Sequence, residues 1–205
     1  MAATPLSVGD NYAILSLDWM SVLLNAIEQT VEGQALIKNY PKWNDAVHQK
    51  SPRPLTIFTT LSFQHGQPEV QPNTPFARLI ELFGTFETGS PGVQIDPQFQ
   101  LDGQDLVLSK TRWSATSGNT LVQILKARGV DTVVITGLTL SGVIMSTIYR
   151  LFDLDFNVYV IKDNAIELPV DQTEKVSQVM LDVLLPKMGL SVISLDEALK
   201  MLERS

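Results

Sequence analysis

The sequence predicts an α/β fold of three layers, in which helices cover both faces of a six-stranded parallel sheet. Six short segments rich in apolar and β-branched residues alternate with segments of helical spacing, and no internal repeat is visible. The segment 132–136, TVVIT, is apolar or β-branched on both faces, which is typical of a central parallel strand. The 205 residues suffice for a single domain that spans 1–205.

Each predicted strand is a short apolar or β-branched run bounded by turn residues. In chain order, the predicted strands are 12–18, 55–60, 105–109, 132–136, 157–161 and 190–193. Between them, apolar residues recur at helical spacing, and Gly or Pro marks several helix ends. The predicted helices are 21–39, ended by Tyr40 and Pro41, then 43–50, 74–83, 117–128, 142–154, 170–185 and one that starts at Asp196. The Pro- and Gly-rich segment 61–104 is expected to fold over one face of the domain.

Three features that can carry chemistry follow predicted strands. Asp18 ends the first strand, Lys110 follows the third, and the turn 137–143 follows the fourth. Because the carboxyl ends of parallel strands share one edge, where α/β proteins bind ligands, we expect these features to converge. A Lys beside an Asp keeps the carboxylate ionised or shares its proton, so the pair suits general acid–base catalysis. The alternatives are an ordinary ion pair or an Asp that caps the next helix.

The turn 137–143 leads from a buried strand into a helix whose first N–H groups have no partners inside that helix. Thr139, Ser141 and Gly142 are small or hydroxylated residues at this helix N-terminus. Such a junction favours an anion or an oxyanion, and we predict that these residues bind substrate. A strand-to-helix turn without a ligand is the alternative.

Composition excludes several classes of protein. The formal net charge is −7 and no basic block is present, so nucleic acid is not an expected partner. The chain has no cysteine, which excludes disulfides, zinc–thiolate sites and a cysteine nucleophile. No apolar run is long enough to cross a membrane, and MAATPLSVGD lacks the features of a secretory signal. We therefore predict a cytoplasmic location, while export by a route that needs no such signal stays open.

Four segments, in order, resemble the isochorismatase-like hydrolases, the superfamily that also contains nicotinamidases and other cysteine hydrolases. They are AILSLD ending in Asp18, GSPGVQI at 89–95, LSKTRWSATSG at 108–118 and VVITGLTLSGVIMSTIYRLFDLDFNVYVIKDNAIE at 133–167. The resemblance implies a Rossmann-like domain with a site made of an Asp, a Lys and usually a Cys. Asp18 matches the family's Asp, and Lys110 matches its Lys. A cis peptide bond near Leu138 and Thr139 is also implied.

The position of the family's cysteine is occupied by Val143, which carries no nucleophile. Counting from Gly137 identifies this position, and Thr147 and Asp163 fall in register downstream. Loss of a covalent nucleophile can cost about 10⁶ in rate, so amide hydrolysis through a thioester is not expected. Ser141 lies close by, but a serine nucleophile needs a base beside it.

Metal binding is not predicted either. Nicotinamidase-like relatives hold a zinc ion through an Asp and His cluster, whereas this chain has only His48 and His65, with no pair at ligand spacing. A catalytic zinc ion needs three protein ligands. We expect His65 to be a loop residue rather than a metal ligand, and we predict no cofactor.

The residues that remain suit a reaction without a covalent nucleophile. The resemblance implies hydrolysis of a small carboxylated substrate, such as the vinyl ether of isochorismate, with Asp18 as acid and Lys110 as its partner. Arg112 is a candidate for binding the carboxylate, and Trp19 and Trp113 are candidates for an aromatic wall. The alternatives are an inactive scaffold that binds a small molecule or a protein, and a serine-dependent amidase that uses Ser141. By analogy with the family we expect a homo-oligomer, with the segment 61–104 as a contact surface.

Overall fold

The computed structural model describes residues 7–205, and within this range it contains one sheet of six parallel strands with helices on both faces. The strands are β1 (Tyr12–Leu17), β2 (Leu55–Leu61), β3 (Leu106–Lys110), β4 (Thr132–Leu138), β5 (Asn157–Ile166) and β6 (Ser191–Ile193). Their order across the sheet is β3-β2-β1-β4-β5-β6. The three-layer α/β fold is therefore confirmed. Residues 1–6, which belong to the N-terminal stretch without signal features, lie outside the described residues.

The helices are α1 (Ser21–Asn25), α2 (Val31–Gln49), α3 (Pro75–Glu81), α4 (Leu121–Ala127), α5 (Met145–Phe152), α6 (Thr173–Val179), α7 (Leu185–Lys187) and α8 (Leu195–Arg204). A π-helical turn, Leu140–Ile144, leads directly into α5, and a second one, Met180–Leu184, joins α6 to α7. The helices α2 and α8 pack on one face of the sheet, and α4 and α5 pack on the other. Between Ser7 and Ser205, no helix combines the length and the apolar character needed to span a membrane.

The longest helix differs from the sequence prediction at both ends. The predicted end at Tyr40 and Pro41 is wrong, because α2 continues through Pro41 to Gln49. Proline removes one helical hydrogen bond, but the buried side chains of Tyr40 and Trp43 on either side of it anchor the helix to the sheet. The predicted single start at Ser21 is also wrong, since α1 ends first and Thr30 caps a new helix by accepting a hydrogen bond from the Gly33 N–H.

Two further boundaries bear on the site. The fifth strand extends to Ile166, five residues beyond its predicted end at Ile161, after a shift in register against β4. As a result the chain leaves β5 at the same edge of the sheet where β1 and β4 end. The helix predicted at 117–128 starts only at Leu121, because Asn119 accepts a hydrogen bond from the Leu121 N–H and the residues before it form turns.

Candidate active site

The carboxylate of Asp18 and the ammonium of Lys110 meet at the carboxyl edge of the sheet. Asp18 directly follows β1, and Lys110 is the last residue of β3, with β2 between the two strands. The distance from Lys110 Nζ to Asp18 Oδ2 is 2.6 Å, and Asp18 Oδ1 accepts a hydrogen bond of 2.8 Å from Thr59 Oγ1 on β2. Lys110 Nζ also donates to the Arg112 carbonyl. The sequence predicted that these two groups converge, and the structure brings them into contact.

Burial controls the protonation of this pair. Asp18 is 2% exposed and Lys110 is fully buried. Burial raises the pKa of the Asp18 carboxyl, while the charge and hydrogen bond of Lys110 and the hydroxyl of Thr59 act in the opposite direction. The carboxyl therefore retains a proton more readily than an exposed aspartic acid does. Such a group can donate a proton to a substrate and take one back.

A cavity of about 230 Å³ opens onto Asp18. It lies where the strand order reverses, because β1 connects to β2 on one side while its neighbour β4 connects to β5 on the other. Most of its walls are apolar. The residues that line it are Asp18, Met20, Leu23, Leu61, Leu79, Ile80, Phe83, Phe86, Trp113, Thr139, Ser141, Val143, Glu167 and Leu168.

The junction between β4 and α5 forms one wall of this cavity and contains Val143. The peptide bond between Leu138 and Thr139 is cis, as the resemblance implied. Val143 is buried at the cavity surface, and its carbonyl accepts hydrogen bonds from the hydroxyls of Ser146 and Thr147. Thr147 in turn accepts from the Ala115 N–H, which ties the junction to the segment after β3. Val143, at the position that the sequence analysis assigned to the family's cysteine, therefore lines the cavity with an apolar residue.

Trp113 and Gly142 fit each other at the mouth of the cavity. Trp113 lines the cavity and is 41% exposed. A Cβ at Gly142 would lie 2.8 Å from Thr139 Oγ1 and 3.3 Å from two ring carbons of Trp113. Glycine at this position therefore allows the indole to pack directly on the turn. Among the predicted substrate-binding residues, Trp113, Thr139 and Ser141 line the cavity, and Gly142 supports Trp113 from behind.

Two predicted substrate-binding residues lie elsewhere. Trp19 is completely buried, stacks on Tyr40 with ring centroids 3.8 Å apart, and donates its indole N–H to Thr136 Oγ1. Burial of this large ring in the core stabilises the fold and removes it from the wall of the cavity. The prediction that Trp19 binds substrate is therefore wrong. Arg112 donates to the Glu69 carbonyl and lies over the ring of Phe76, 4.9 Å from its centroid. Its guanidinium thus holds a neighbouring loop and does not line the cavity.

Glu167 is a site residue that the sequence analysis missed. It follows β5, is 5% exposed and lines the cavity. Its Oε2 accepts a hydrogen bond of 2.6 Å from the Ser141 N–H, and its Oε1 accepts one of 2.9 Å from the Leu168 N–H. One N–H of the helix N-terminus that was predicted to bind a substrate anion, that of Ser141, therefore donates to a carboxylate of the protein itself. A sequence signal existed, because Glu167 ends the last matching segment, but the predicted strand stopped too early to place it at the edge.

The histidines lie away from this cavity. The side chain of His65 is 97% exposed and contacts Glu87 in a surface loop, in agreement with its prediction as a loop residue. His48 lies near Asp102 and Asp105, and in residues 7–205 this trio is the one group with the spacing for a metal ion. Arg53 binds both of these carboxylates, so the group is a network of ion pairs.

These features define an α/β protein with an acid–base pair at the topological switch point of a parallel sheet. The Isochorismatase domain matches residues 12–197, and the chain belongs to the isochorismatase family. It matches an isochorismatase family protein from Burkholderia thailandensis with a TM-score of 0.75 and 20% identity, covering 98% of this chain and 100% of that one. A cysteine hydrolase from Pseudomonas syringae pv. phaseolicola gives a TM-score of 0.81 and 16% identity, with coverage of 98% and 99%.

An N-carbamoylsarcosine amidase from Thermoplasma acidophilum is also similar, with a TM-score of 0.70 and 19% identity over 91% of this chain and 98% of that one. No curated protein sequence matches the chain significantly. At these identities the solved structures support the fold, and the family domain supports membership of an isochorismatase-like hydrolase family.

Proposed function

We propose that the protein is a hydrolase that uses Asp18 as proton donor and acceptor and Lys110 as its charge partner, without a covalent nucleophile. One observation carries the proposal: a buried carboxyl of raised pKa, 2.6 Å from a buried ammonium, faces a mostly apolar cavity. Of the two carboxyls that line this cavity, Asp18 and Glu167, Asp18 is the one in contact with an ammonium group. Lys110 lies behind Asp18 and stabilises the carboxylate that remains after the proton has left.

The proposal does not use the hydroxyl at Ser141. Ser141 lines the cavity, but its described hydrogen bond is made by its backbone N–H to Glu167 and not by its hydroxyl to a base. An isolated serine hydroxyl is a weak nucleophile at neutral pH. The serine-dependent amidase is therefore the less favoured reading of the site.

Acid-catalysed cleavage of a vinyl ether suits these groups. The Asp18 carboxyl donates its proton to the terminal carbon of the enol ether, which leaves an oxocarbenium ion and the Asp18 carboxylate. Water adds to this cation and returns a proton to Asp18, and the hemiketal then breaks down to a ketone and an alcohol. The charge that develops next to Asp18 is positive, so the carboxylate stabilises it. For isochorismate the ketone would be pyruvate.

The reaction class is better supported than isochorismate itself as the substrate. Isochorismate carries two carboxylates, and the cavity walls among the described residues contain acidic side chains but no Arg, Lys or His. The candidate that was expected to bind a carboxylate, Arg112, contacts Glu69 and Phe76 instead. We therefore propose vinyl-ether hydrolysis and treat isochorismate as one of two substrates to be tested.

The test compares isochorismate with an uncharged aryl vinyl ether, with product release measured for the wild type and Asp18→Asn. We expect the substitution to lower turnover by about 10²–10⁴, the usual contribution of a general acid. Asp105→Asn is the matched control, because Asp105 is equally buried but lies at the opposite edge of the sheet. Turnover that survives in Asp18→Asn would contradict the proposed role of Asp18.

An inactive scaffold is the second candidate, and Val143 is the observation that favours it. A scaffold would bind ligand in the cavity but turn over neither vinyl ether. A cytoplasmic location and a homo-oligomer that uses the segment 61–104 stay predictions from the sequence, to be checked by cell fractionation and light scattering.

A further inference from the structure

The cavity has acidic side chains among mostly apolar lining residues. Its two ionisable lining residues in the described part of the chain are Asp18 and Glu167. Lys110 balances the first of them through the 2.6 Å contact with Asp18 Oδ2. Glu167 is held by the N–H groups of Ser141 and Leu168, which are neutral peptide donors. If both carboxyls are ionised, a ligand in this cavity therefore encounters an excess of negative charge.

The carboxylate of Glu167 also takes one of the N–H groups that an anionic ligand would use. Helix N-termini attract anions through their free N–H groups. Here the Ser141 N–H, at the start of the π-helical turn that continues into α5, already donates to Glu167 Oε2 at 2.6 Å. A second carboxylate at this turn would lie next to Glu167 in a site of low dielectric, where repulsion between like charges is strong.

The size and the walls of the cavity define the rest of the ligand. A cavity of about 150 Å³ lined by apolar side chains binds benzene in another protein, and the volume here is about 230 Å³. One ring with a short polar substituent is therefore the appropriate size. Leu79, Ile80 and Phe83 form part of the apolar wall against which such a ring would pack.

We propose that Glu167 determines charge specificity, so that the cavity accepts a small apolar ligand carrying an amine or amide N–H donor and rejects an anion of the same shape. The donor would point to the carboxyls of Glu167 and Asp18, and the ring would pack against the apolar wall. This inference rests on the site of the proposed function, but it concerns binding alone and holds whether or not the ligand is turned over.

The experiment is isothermal titration calorimetry at pH 7 with three ligands that share one ring: benzylamine, which is a cation, benzamide, which is neutral, and benzoate. For the wild type we expect benzylamine to bind most tightly and benzoate at least about tenfold more weakly. In Glu167→Gln, benzylamine should lose about tenfold in affinity and benzoate should gain about as much. Glutamine keeps a side-chain oxygen for the Ser141 N–H, so the turn retains its hydrogen bond.

Glu81→Gln is the matched control, because Glu81 is an exposed residue of α3 that does not line the cavity. This substitution removes the same charge from the protein and should leave the order of the three binding affinities unchanged. Wild-type affinity for benzoate that equals or exceeds the affinity for benzylamine would overturn the inference, even if Glu167→Gln does not fold. Failure of all three ligands to bind at millimolar concentration would also overturn it. Neither result bears on turnover of a vinyl ether, which tests the proposed function separately.

Discussion

Two clusters of charged side chains lie at opposite edges of the sheet. The pair proposed to be catalytic, Asp18 and Lys110, lies at the carboxyl edge of β1 and β3. The structural network lies at the amino edge, where Arg53 before β2 binds Asp102 and Asp105 before β3, and His48 Nε2 lies 3.1 Å from Asp105 Oδ2. The side chain of Asp105 is as inaccessible as that of Asp18. Burial of a carboxylate therefore does not by itself distinguish a functional site from a structural network of ion pairs.

The difference lies in the cation and in the surroundings. Arginine keeps its charge under all ordinary conditions and holds two carboxylates at once, so the structural network fixes the ends of the strands. Lysine has a proton that a neighbouring carboxyl can share, and Asp18 faces a cavity large enough for a small ligand. A proton that two groups can share, next to a cavity, is the reason why we propose the carboxyl edge as the site of chemistry.

The largest expected effect is on the labelling of a thiol introduced at the wall of the cavity, which reports whether small molecules can enter it. The chain has no cysteine, so Val143→Cys introduces a single thiol at the cavity wall. We expect iodoacetamide to label this thiol completely, because the cavity admits a small reagent. Val133→Cys is the matched control, since Val133 is buried in the middle of β4 and should stay unlabelled. Intact-protein mass spectrometry measures both, and an unreactive thiol at position 143 would mean that the cavity is closed to small molecules.

A smaller effect is expected on the free energy of unfolding when the ion pair between Asp18 and Lys110 is broken. Lys110→Met leaves the Asp18 carboxyl in a buried place without its cation, which should lower the free energy of unfolding by about 3–5 kcal/mol. Adding Asp18→Asn to Lys110→Met should recover a large part of this loss, because the uncompensated charge is then removed. Urea denaturation of the two single variants and the double variant measures the coupling. Additive effects would show that Asp18 and Lys110 do not interact as the structure indicates.

The smallest expected effect concerns the pH dependence of stability. The contributions of Asp18 and Asp102 to the free energy of unfolding should change in opposite directions as pH rises. Burial raises the pKa of Asp18 in the folded state, so its contribution to stability is present below the unfolded value of about 3.9 and is lost as pH rises through the folded value. The hydrogen bond from Arg53, and one from the Gln104 N–H, lower the pKa of Asp102. Its contribution is therefore present above the unfolded value and is lost as pH falls through the folded value.

The measurement is the difference in the free energy of unfolding between the wild type and each variant, followed from pH 2 to pH 8. The slope of this difference against pH gives the direction of each contribution. For Asp18→Asn the advantage of the wild type should shrink as pH rises above about 4. For Asp102→Asn it should shrink as pH falls below about 4. Slopes of the same sign would remove the electrostatic distinction between the two clusters.

Local patterns were enough to predict the sheet and its acid–base pair. The strands are short β-branched runs whose ends are marked by turn residues, and side chains at the ends of parallel strands must share an edge. Asp18 and Lys110 could therefore be placed together without any knowledge of long-range packing. Val143 was identified differently: the resemblance to the family singled out its position, and counting from Gly137 at the end of a strand fixed the register.

Residues whose position depends on tertiary packing were harder to predict. Trp19 is next to Asp18 in sequence, yet its ring turns into the core against Tyr40. The helix α2 continues through Pro41 because buried side chains on both sides compensate for the missing hydrogen bond. Glu167 was missed because β5 continues past Lys162 and Asp163, two charged residues that look like the end of a strand.

The cavity draws its groups from two kinds of structure. Asp18 directly follows β1 and Val143 lies in the helical turn after β4, whereas Leu79, Ile80 and Phe83 come from α3 and its end, within a segment that runs over the sheet. A mutation in that segment alters the shape of the cavity and leaves the acid–base pair in place. Because the ligand-facing wall and the Asp18–Lys110 pair come from separate elements, α3 is the place to begin if the ligand preference of this protein is to be redesigned.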